Sequence, residues 1–149
     1  MKKVVITGAA GQLGSDLVRT LNGSDDFEVH PLTRASVDCR DEKSVKELIS
    51  ALRPDVGVHC AAYVRVDDCE DEIDECMSVN AAGSAHVARA AAENGSVCVY
   101  ISTDYVFDGK KRTPYAEDDL TAPVNMYGIS KLAGENAVRA YAEKHVIIR

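Results

Sequence analysis

Val4-Val5-Ile6-Thr7-Gly8-Ala9-Ala10-Gly11-Gln12-Leu13-Gly14 lies close to the start of the chain. Val4, Val5 and Ile6 are a short β-rich apolar run, and Gly8, Gly11 and Gly14 follow three residues apart, where an amphipathic helix with Leu13, Leu17 and Leu21 begins. The order is strand, glycine turn, helix. Each glycine has its own physical reason: one makes the tight turn, one lets backbone N–H groups approach a pyrophosphate, and one lets the helix pack on the strand. The helix N-terminus then offers unsatisfied N–H groups and a positive dipole end to the phosphates. Glycines at this spacing also describe a plain strand-to-helix turn. Their place directly behind a strand at the head of the chain favours dinucleotide binding.

Outward from that turn, 149 residues with 46% hydrophobic content make one domain able to bury a core. No apolar run reaches membrane-spanning length, and Met1-Lys2-Lys3 leads into a strand too short for a signal-peptide core, so a cytoplasmic protein without a membrane partner is expected. Cys39, Cys60, Cys69, Cys76 and Cys98 are odd in number and include no Cys-x-x-Cys pair; free, mostly buried thiols are expected, not a disulfide framework or a zinc site. The formal charge of −7 is local, since residues 67–75 hold seven of the 24 acids and no base, and the remaining acids equal the 17 bases. Such a domain offers no footprint for nucleic acid.

Residues 27–33 read as a second strand, 41–52 as a helix with Val45, Leu48, Ile49 and Leu52 on one stripe closed by Arg53-Pro54, and 55–60 as a third strand. The acidic run precedes Val79, Ala82, Val87 and Ala90, which places its carboxylates early in a helical segment. A solvated helix start accounts for them better than a metal site, because a calcium loop needs a glycine turn that this run lacks. Asn94-Gly95 ends that helix, 96–102 reads as a fourth strand, and 103–123 is a long irregular stretch of the kind that carries function. A last helix over 124–144 has Ile129, Leu132, Ala133, Ala137 and Tyr141 on its inner face, and 145–149 start a final strand. The alternation implies an α/β fold: a doubly wound parallel sheet with right-handed crossovers, a Rossmann fold in one dinucleotide-binding domain over residues 1–149.

Tyr127 and Lys131 stand four apart on the last helix and so project from one face. A phenol near pKa 10 is a poor acid at neutral pH until its phenolate is stabilised. An ammonium beside it in a dry cleft does that, and a downward shift of roughly 3 units corresponds to about 4 kcal/mol. Alone, the pair reads as an incidental surface pair. The loop Ser102-Thr103-Asp104-Tyr105-Val106-Phe107-Asp108-Gly109 changes the balance, because carboxyl ends of parallel strands border the ligand crevice and Thr103 puts a hydroxyl at one. At the other end, an NAD site wants an acid about 20 positions past the glycines, where this chain has Thr33 and Arg34. An arginine forks onto a phosphate, so NADP(H) is expected, with NAD(H) the alternative. His30, His59, His86 and His145 show no ligand spacing and are expected in core or surface roles, and no metal is expected.

Thr7-Gly8-Ala9-Ala10-Gly11-Gln12-Leu13-Gly14, Cys60-Ala61-Ala62-Tyr63, residues 102–109 and Pro123-x-Asn125-x-Tyr127-Gly128-x-Ser130-Lys131-x-x-Gly134-Glu135 resemble the extended short-chain dehydrogenase/reductases. The resemblance covers the whole chain, is most specific over residues 102–109, and within that family is nearest to the branch that reduces nucleotide-linked 4-keto sugars. It implies a dinucleotide site formed by Gly8, Gly11, Gln12, Leu13, Gly14, Arg34, Asp38, Cys60, Ala61, Ala62, Ser102, Tyr127 and Lys131, with Asp38 near the adenine. It further implies that Thr103 hydrogen-bonds the substrate carbonyl, that Tyr127 donates the proton, and that Lys131 holds the nicotinamide ribose and lowers the tyrosine pKa. Hydride from the reduced nicotinamide would turn a 4-keto into a 4-hydroxy sugar. A loop-capping role is the alternative for Asp38; Asn80 resembles a helix asparagine of structural role, with solvent exposure as its alternative. The implied partner is a nucleotide-sugar substrate, and a homodimer is compatible with a sequence that specifies no oligomeric state.

Two departures stand out. After Tyr63 the family usually carries Thr-Ala-Val-Asp, and Val64-Arg65-Val66-Asp67 here leaves room for a different sugar. Members also run on for a comparable length into a substrate-binding lobe, so this chain is expected to be the cofactor domain, inactive alone. Sugar-nucleotide dehydratases and epimerases are the nearest alternatives; dehydratases carry Asp-Glu after the threonine, whereas Asp104 is followed by Tyr105, which removes the usual base for abstracting the proton next to the carbonyl. A non-catalytic regulatory subunit, like that of methionine adenosyltransferase, resembles the same family, and Tyr127 and Lys131 argue against it.

Overall fold

The computed structural model describes every residue from Met1 to Arg149. Five strands, β1 (Lys2–Thr7), β2 (Phe27–Leu32), β3 (Val56–His59), β4 (Val97–Ile101) and β5 (His145–Ile148), form one sheet in the order β2-β1-β3-β4-β5. Every neighbouring pair is parallel. The chain winds from β1 out to the edge at β2, returns to the other side of β1, and continues through β3, β4 and β5. That reversal opens a crevice at the carboxyl ends of β1 and β3. Pro31 is tolerated in β2 because an edge strand has a free N–H side.

The helices are α1 (Gln12–Leu21), α2 (Glu42–Leu52), α3 (Asp68–Asp71), α4 (Ile73–Met77), α5 (Gly83–Glu93) and α6 (Met126–Tyr141). Side chains alternate across β1: Val4 and Ile6 meet Leu17, Val18 and Leu21 of α1 on one face, while Val5 joins Val45 and Ile49 of α2 and Val87 and Ala90 of α5 on the other. A third cluster, with Ala88, Ala91, Cys98, Tyr100 and Val138, seals α5 against α6. The five cysteines are free, and four of them are buried. No helix is long and apolar enough to cross a membrane.

Three local expectations are corrected. The segment behind the acidic run is not one helix but α3, α4, a π-turn over Ser78–Ala82, and α5; the extra residue in the π-turn slips the helical face, so Ala82 is exposed and Asn80 is buried. Leu13 is 44% exposed, because it faces the crevice and not the sheet. On α6, shorter than expected and capped by the Asn125 side chain on the Gly128 N–H at 2.8 Å, Ile129 and Tyr141 face outward. The fully buried side is Gly128, Ser130, Lys131, Gly134, Glu135 and Val138. Close approach selects that side: a Cβ at position 134 would lie 2.3 Å from the Tyr100 hydroxyl and 2.6 Å from the Asn80 carbonyl.

Candidate active site

β1 is followed by Gly8 at φ +68°, and an added Cβ there would lie 2.6 Å from the Ala61 backbone nitrogen beyond the end of β3. A Cβ on Gly14 would lie 2.3 Å from the Gly8 carbonyl oxygen, so α1 touches the turn itself. Gly11 differs: its added Cβ would meet only the Gly8 oxygen, at 3.2 Å. It caps α1 without a side-chain hydrogen bond, and the first turn holds no acid. The opening N–H groups of α1 are left for an anion.

A cleft of about 720 Å³ runs from this turn along the carboxyl edge of the sheet. Gly8, Gly11, Gln12, Leu13 and Gly14 line one part, Arg34 and Asp38 a corner beyond β2, Cys60, Ala61 and Ala62 the wall behind β3, and Ser102, Tyr127 and Lys131 the far end. Every residue expected at the dinucleotide site is therefore brought to one cleft. Thr103 lies just outside that lining, next to Ser102, where its hydroxyl accepts the Tyr105 N–H at 3.2 Å and caps a short 3-10 turn over Asp104–Val106.

Lys131 is 3% exposed. Its ammonium donates to the Ile101 carbonyl at 2.7 Å and lies 4.3 Å from the centre of the Tyr100 ring. Burial pushes its pKa down to about 8. The Tyr127 ring meets Tyr105 edge-on, with centroids 5.6 Å apart. Burial pushes the Tyr127 phenol up from its ordinary value, and the Thr103 hydroxyl beside it pulls the other way. The Lys131 ammonium, donating to the Ile101 carbonyl of β4, makes no hydrogen bond to the Tyr127 phenol.

Polar groups behind the cleft are closely matched. Asn80 accepts the Tyr63 N–H at 2.8 Å and donates to the Tyr63 carbonyl at 3.0 Å and the Ser130 hydroxyl at 2.9 Å, so its structural role prevails over solvent exposure. Glu135, fully buried, accepts from Ser102 at 2.6 Å, from Arg149 at 2.9 and 2.8 Å, and from Arg139 at 3.0 Å. Burial pushes its carboxyl up, but these donors outweigh burial and hold it below the usual range. His59 takes the core role, with Nδ1 2.7 Å from the Thr7 hydroxyl. Burial first, and then the Lys131 charge, push its pKa down to about 3, and its Nε2 is the one buried side-chain polar atom without a partner.

At the corner beyond β2 the structure adds residues that sequence reasoning missed. Arg40 binds both Asp38 oxygens through Nε, at 2.9 and 3.0 Å, and through Nη2 at 2.5 Å, and it reaches across to both Glu75 oxygens at 2.9 and 2.8 Å. The Arg40 hydrogen bonds hold Asp38 down to about 2. Asp38 thus lines the cleft and also fixes its own loop. The acidic run is more than a solvated helix start: Glu70 accepts the Met126 N–H at 2.8 Å at the head of α6, and Asp68 binds Arg65 at 3.0 Å. Proximity in the fold assigns Glu70 and Glu75 their partners, 56 and 35 residues away, whereas Asp68 and Arg65 are a local pair three residues apart. No cluster of three His, Cys, Asp or Glu side chains is placed to hold a metal ion.

A family model described as the RmlD substrate binding domain matches residues 1–149. The spore coat polysaccharide biosynthesis protein SpsK of Bacillus subtilis is 41% identical over 100% of this chain and 52% of its own length. The dTDP-4-dehydrorhamnose reductase of Escherichia coli is 39% identical over 98% of this chain and 50% of its own. Among solved structures, dTDP-4-dehydrorhamnose reductase of Bacillus anthracis, crystallised with NADP, superposes with a TM-score of 0.95 at 40% identity, covering 98% of this chain and 52% of that one. The chain spans about half the length of the curated relatives it matches.

Proposed function

This chain belongs to the RmlD substrate-binding-domain family, and from that premise we propose that residues 1–149 form the dinucleotide-binding domain of an NADP(H)-dependent reductase of a nucleotide-linked 4-keto sugar. The observation that carries the proposal is the meeting of the glycine turn, Tyr127 and Lys131 on one cleft at the reversal of strand order. The chain's own residues fit a dinucleotide: a helix N-terminus free of acids and side-chain caps faces the cleft, and Gly11 leaves the space a side chain would fill. The bound cofactor supplies the hydride. Tyr127 gives its phenolic proton to the carbonyl oxygen, Thr103 donates a hydrogen bond to that same oxygen, and the Lys131 ammonium holds the ribose and stabilises the phenolate left behind. Arg34 favours NADP(H), with NAD(H) the alternative. The names of the relatives suggest a thymidine-diphosphate 4-keto-6-deoxy sugar, and Val64 on the cleft wall is where the sugar contact would depart from theirs.

Calorimetric titration of NADPH and NADH into residues 1–149 tests the cofactor reading. NADPH oxidation with a thymidine-diphosphate 4-keto sugar, by this chain and by the protein carried to the length of its relatives, tests the chemistry. Binding by both and turnover by the longer protein are expected. Absence of dinucleotide binding overturns the cofactor reading, and binding without turnover in the longer protein favours a regulatory subunit.

A further inference from the structure

We propose that Glu75 is a specificity-determining residue of the dinucleotide site: its carboxylate, pinned by Arg40 and facing Arg34, disfavours a ribose 2′-phosphate relative to a free 2′-hydroxyl. The inference rests on the dinucleotide reading of the cleft and concerns which dinucleotide it holds. Arg34 lies two residues past the end of β2, lines the cleft, and has a side chain 74% exposed. It is the cation placed to meet a 2′-phosphate. Glu75 comes from α4, on the opposite side of the same corner, and also lines the cleft.

The two arginines are held very differently. Arg40 spends its guanidinium on Asp38 and Glu75, with five contacts of 2.5 to 3.0 Å, and has little left for a ligand. Arg34 approaches Glu75 only to 3.9 Å, an ion pair without a hydrogen bond. Glu75 is thus fixed by Arg40 while it stands as a competing anion beside Arg34. A phosphate docking on Arg34 enters within a few ångströms of that carboxylate, and nothing in the corner neutralises the added charge: Asp38 and Glu75 already balance Arg34 and Arg40. A 2′-hydroxyl carries no charge and meets no such penalty. The carboxylate expected about 20 residues past the glycines of an NAD site is here delivered to the same corner by another element.

The experiment measures dissociation constants of NADPH and NADH for the parent, Glu75→Gln, Arg34→Ala and the double variant, with Glu93→Gln, at the far end of α5, as a control for net charge. Glu75→Gln keeps the shape and a hydrogen-bond acceptor for Arg40. One unit charge at contact distance in a water-like medium predicts that the NADPH-to-NADH affinity ratio rises about 5-fold, equivalent to roughly 1 kcal/mol, and that the gain shrinks as salt is raised. In the Arg34→Ala background the same substitution moves the ratio by less than half as much, because the cation being competed for is gone. Glu75→Asp, which keeps the charge, moves it less than Glu75→Gln. A ratio unchanged in Glu75→Gln, or an equal rise in Glu93→Gln, overturns the role of Glu75 while the dinucleotide reading stands. Failure of the parent to bind either dinucleotide overturns both.

Discussion

Tyr127 and Lys131 share a cleft without a hydrogen bond between them: the ammonium donates to the Ile101 carbonyl, and the phenol is raised by burial. Their roles therefore separate on substitution. Tyr127→Phe is expected to lower turnover of the protein carried to its relatives' length by roughly 10²- to 10⁴-fold while NADPH still binds. Lys131→Met is expected to weaken NADPH binding as well, and steady-state kinetics beside calorimetry separates the two. Equal losses of affinity in both variants would contradict this division. His59 gives a second prediction, on stability. It faces Thr7, the Tyr100 ring and the Lys131 charge, and its pKa falls from 6.5 to about 3 on burial. A depressed histidine pKa means that the unfolded chain binds the extra proton, so stability is complete above pH 6.5 and declines as pH falls towards 3. Between pH 7 and 5 the loss due to His59 is about 2 kcal/mol. Urea denaturation at the two pH values should show that difference in the parent and lack it in His59→Asn.

The glycine turn and α6 are where elements lock together. Gly11→Val has only the Gly8 oxygen to displace, so the thermal midpoint is expected to stay near the parent's while dinucleotide binding is lost. Gly14→Ala must push α1 off the turn and is expected to lower the midpoint; if Gly11→Val bound NADPH like the parent, the phosphates would lie elsewhere. On α6, Glu135 holds Ser102, just past β4, and Arg149, just past β5. Removing the carboxylate with Glu135→Leu leaves Arg149 with no carboxylate partner, and breaking a pair of this kind costs about 3–5 kcal/mol in denaturant titration. The apolar pattern of α6 misplaced its inner face for the same reason. Period-counting assumes that apolar means inside, whereas Ser130, Lys131 and Glu135 are buried because tertiary partners satisfy them.

On the scale of the whole molecule, the cleft with Tyr127 and Lys131 at its far end is formed by residues 1–149 and is open to solvent: Val64 on its wall and Tyr105 against the Tyr127 ring are 64% and 44% exposed. Holding a second reactant in register contributes roughly 7–11 kcal/mol to barrier lowering, and an open cleft does not exclude water. This chain is therefore expected to bind NADPH and to show negligible turnover of a thymidine-diphosphate 4-keto sugar. Turnover comparable to that of the longer protein would place the entire substrate site in these residues.

The sequence by itself determined the order of strands and helices, the parallel sheet, and the turn at Gly8, Gly11 and Gly14, because periodicity and backbone freedom are local properties carried by neighbouring residues. Its resemblance to a family named part of the cleft lining, from Gly8 to Lys131, and missed Arg40 and Glu75. Only the tertiary structure decided which buried polar groups are partnered, that Lys131 turns to β4, and that Glu75 enters the corner of Arg34 and Asp38. Charges and hydrogen bonds act through space, and the partners of Lys131 and Glu75 lie 30 to 41 residues away along the chain.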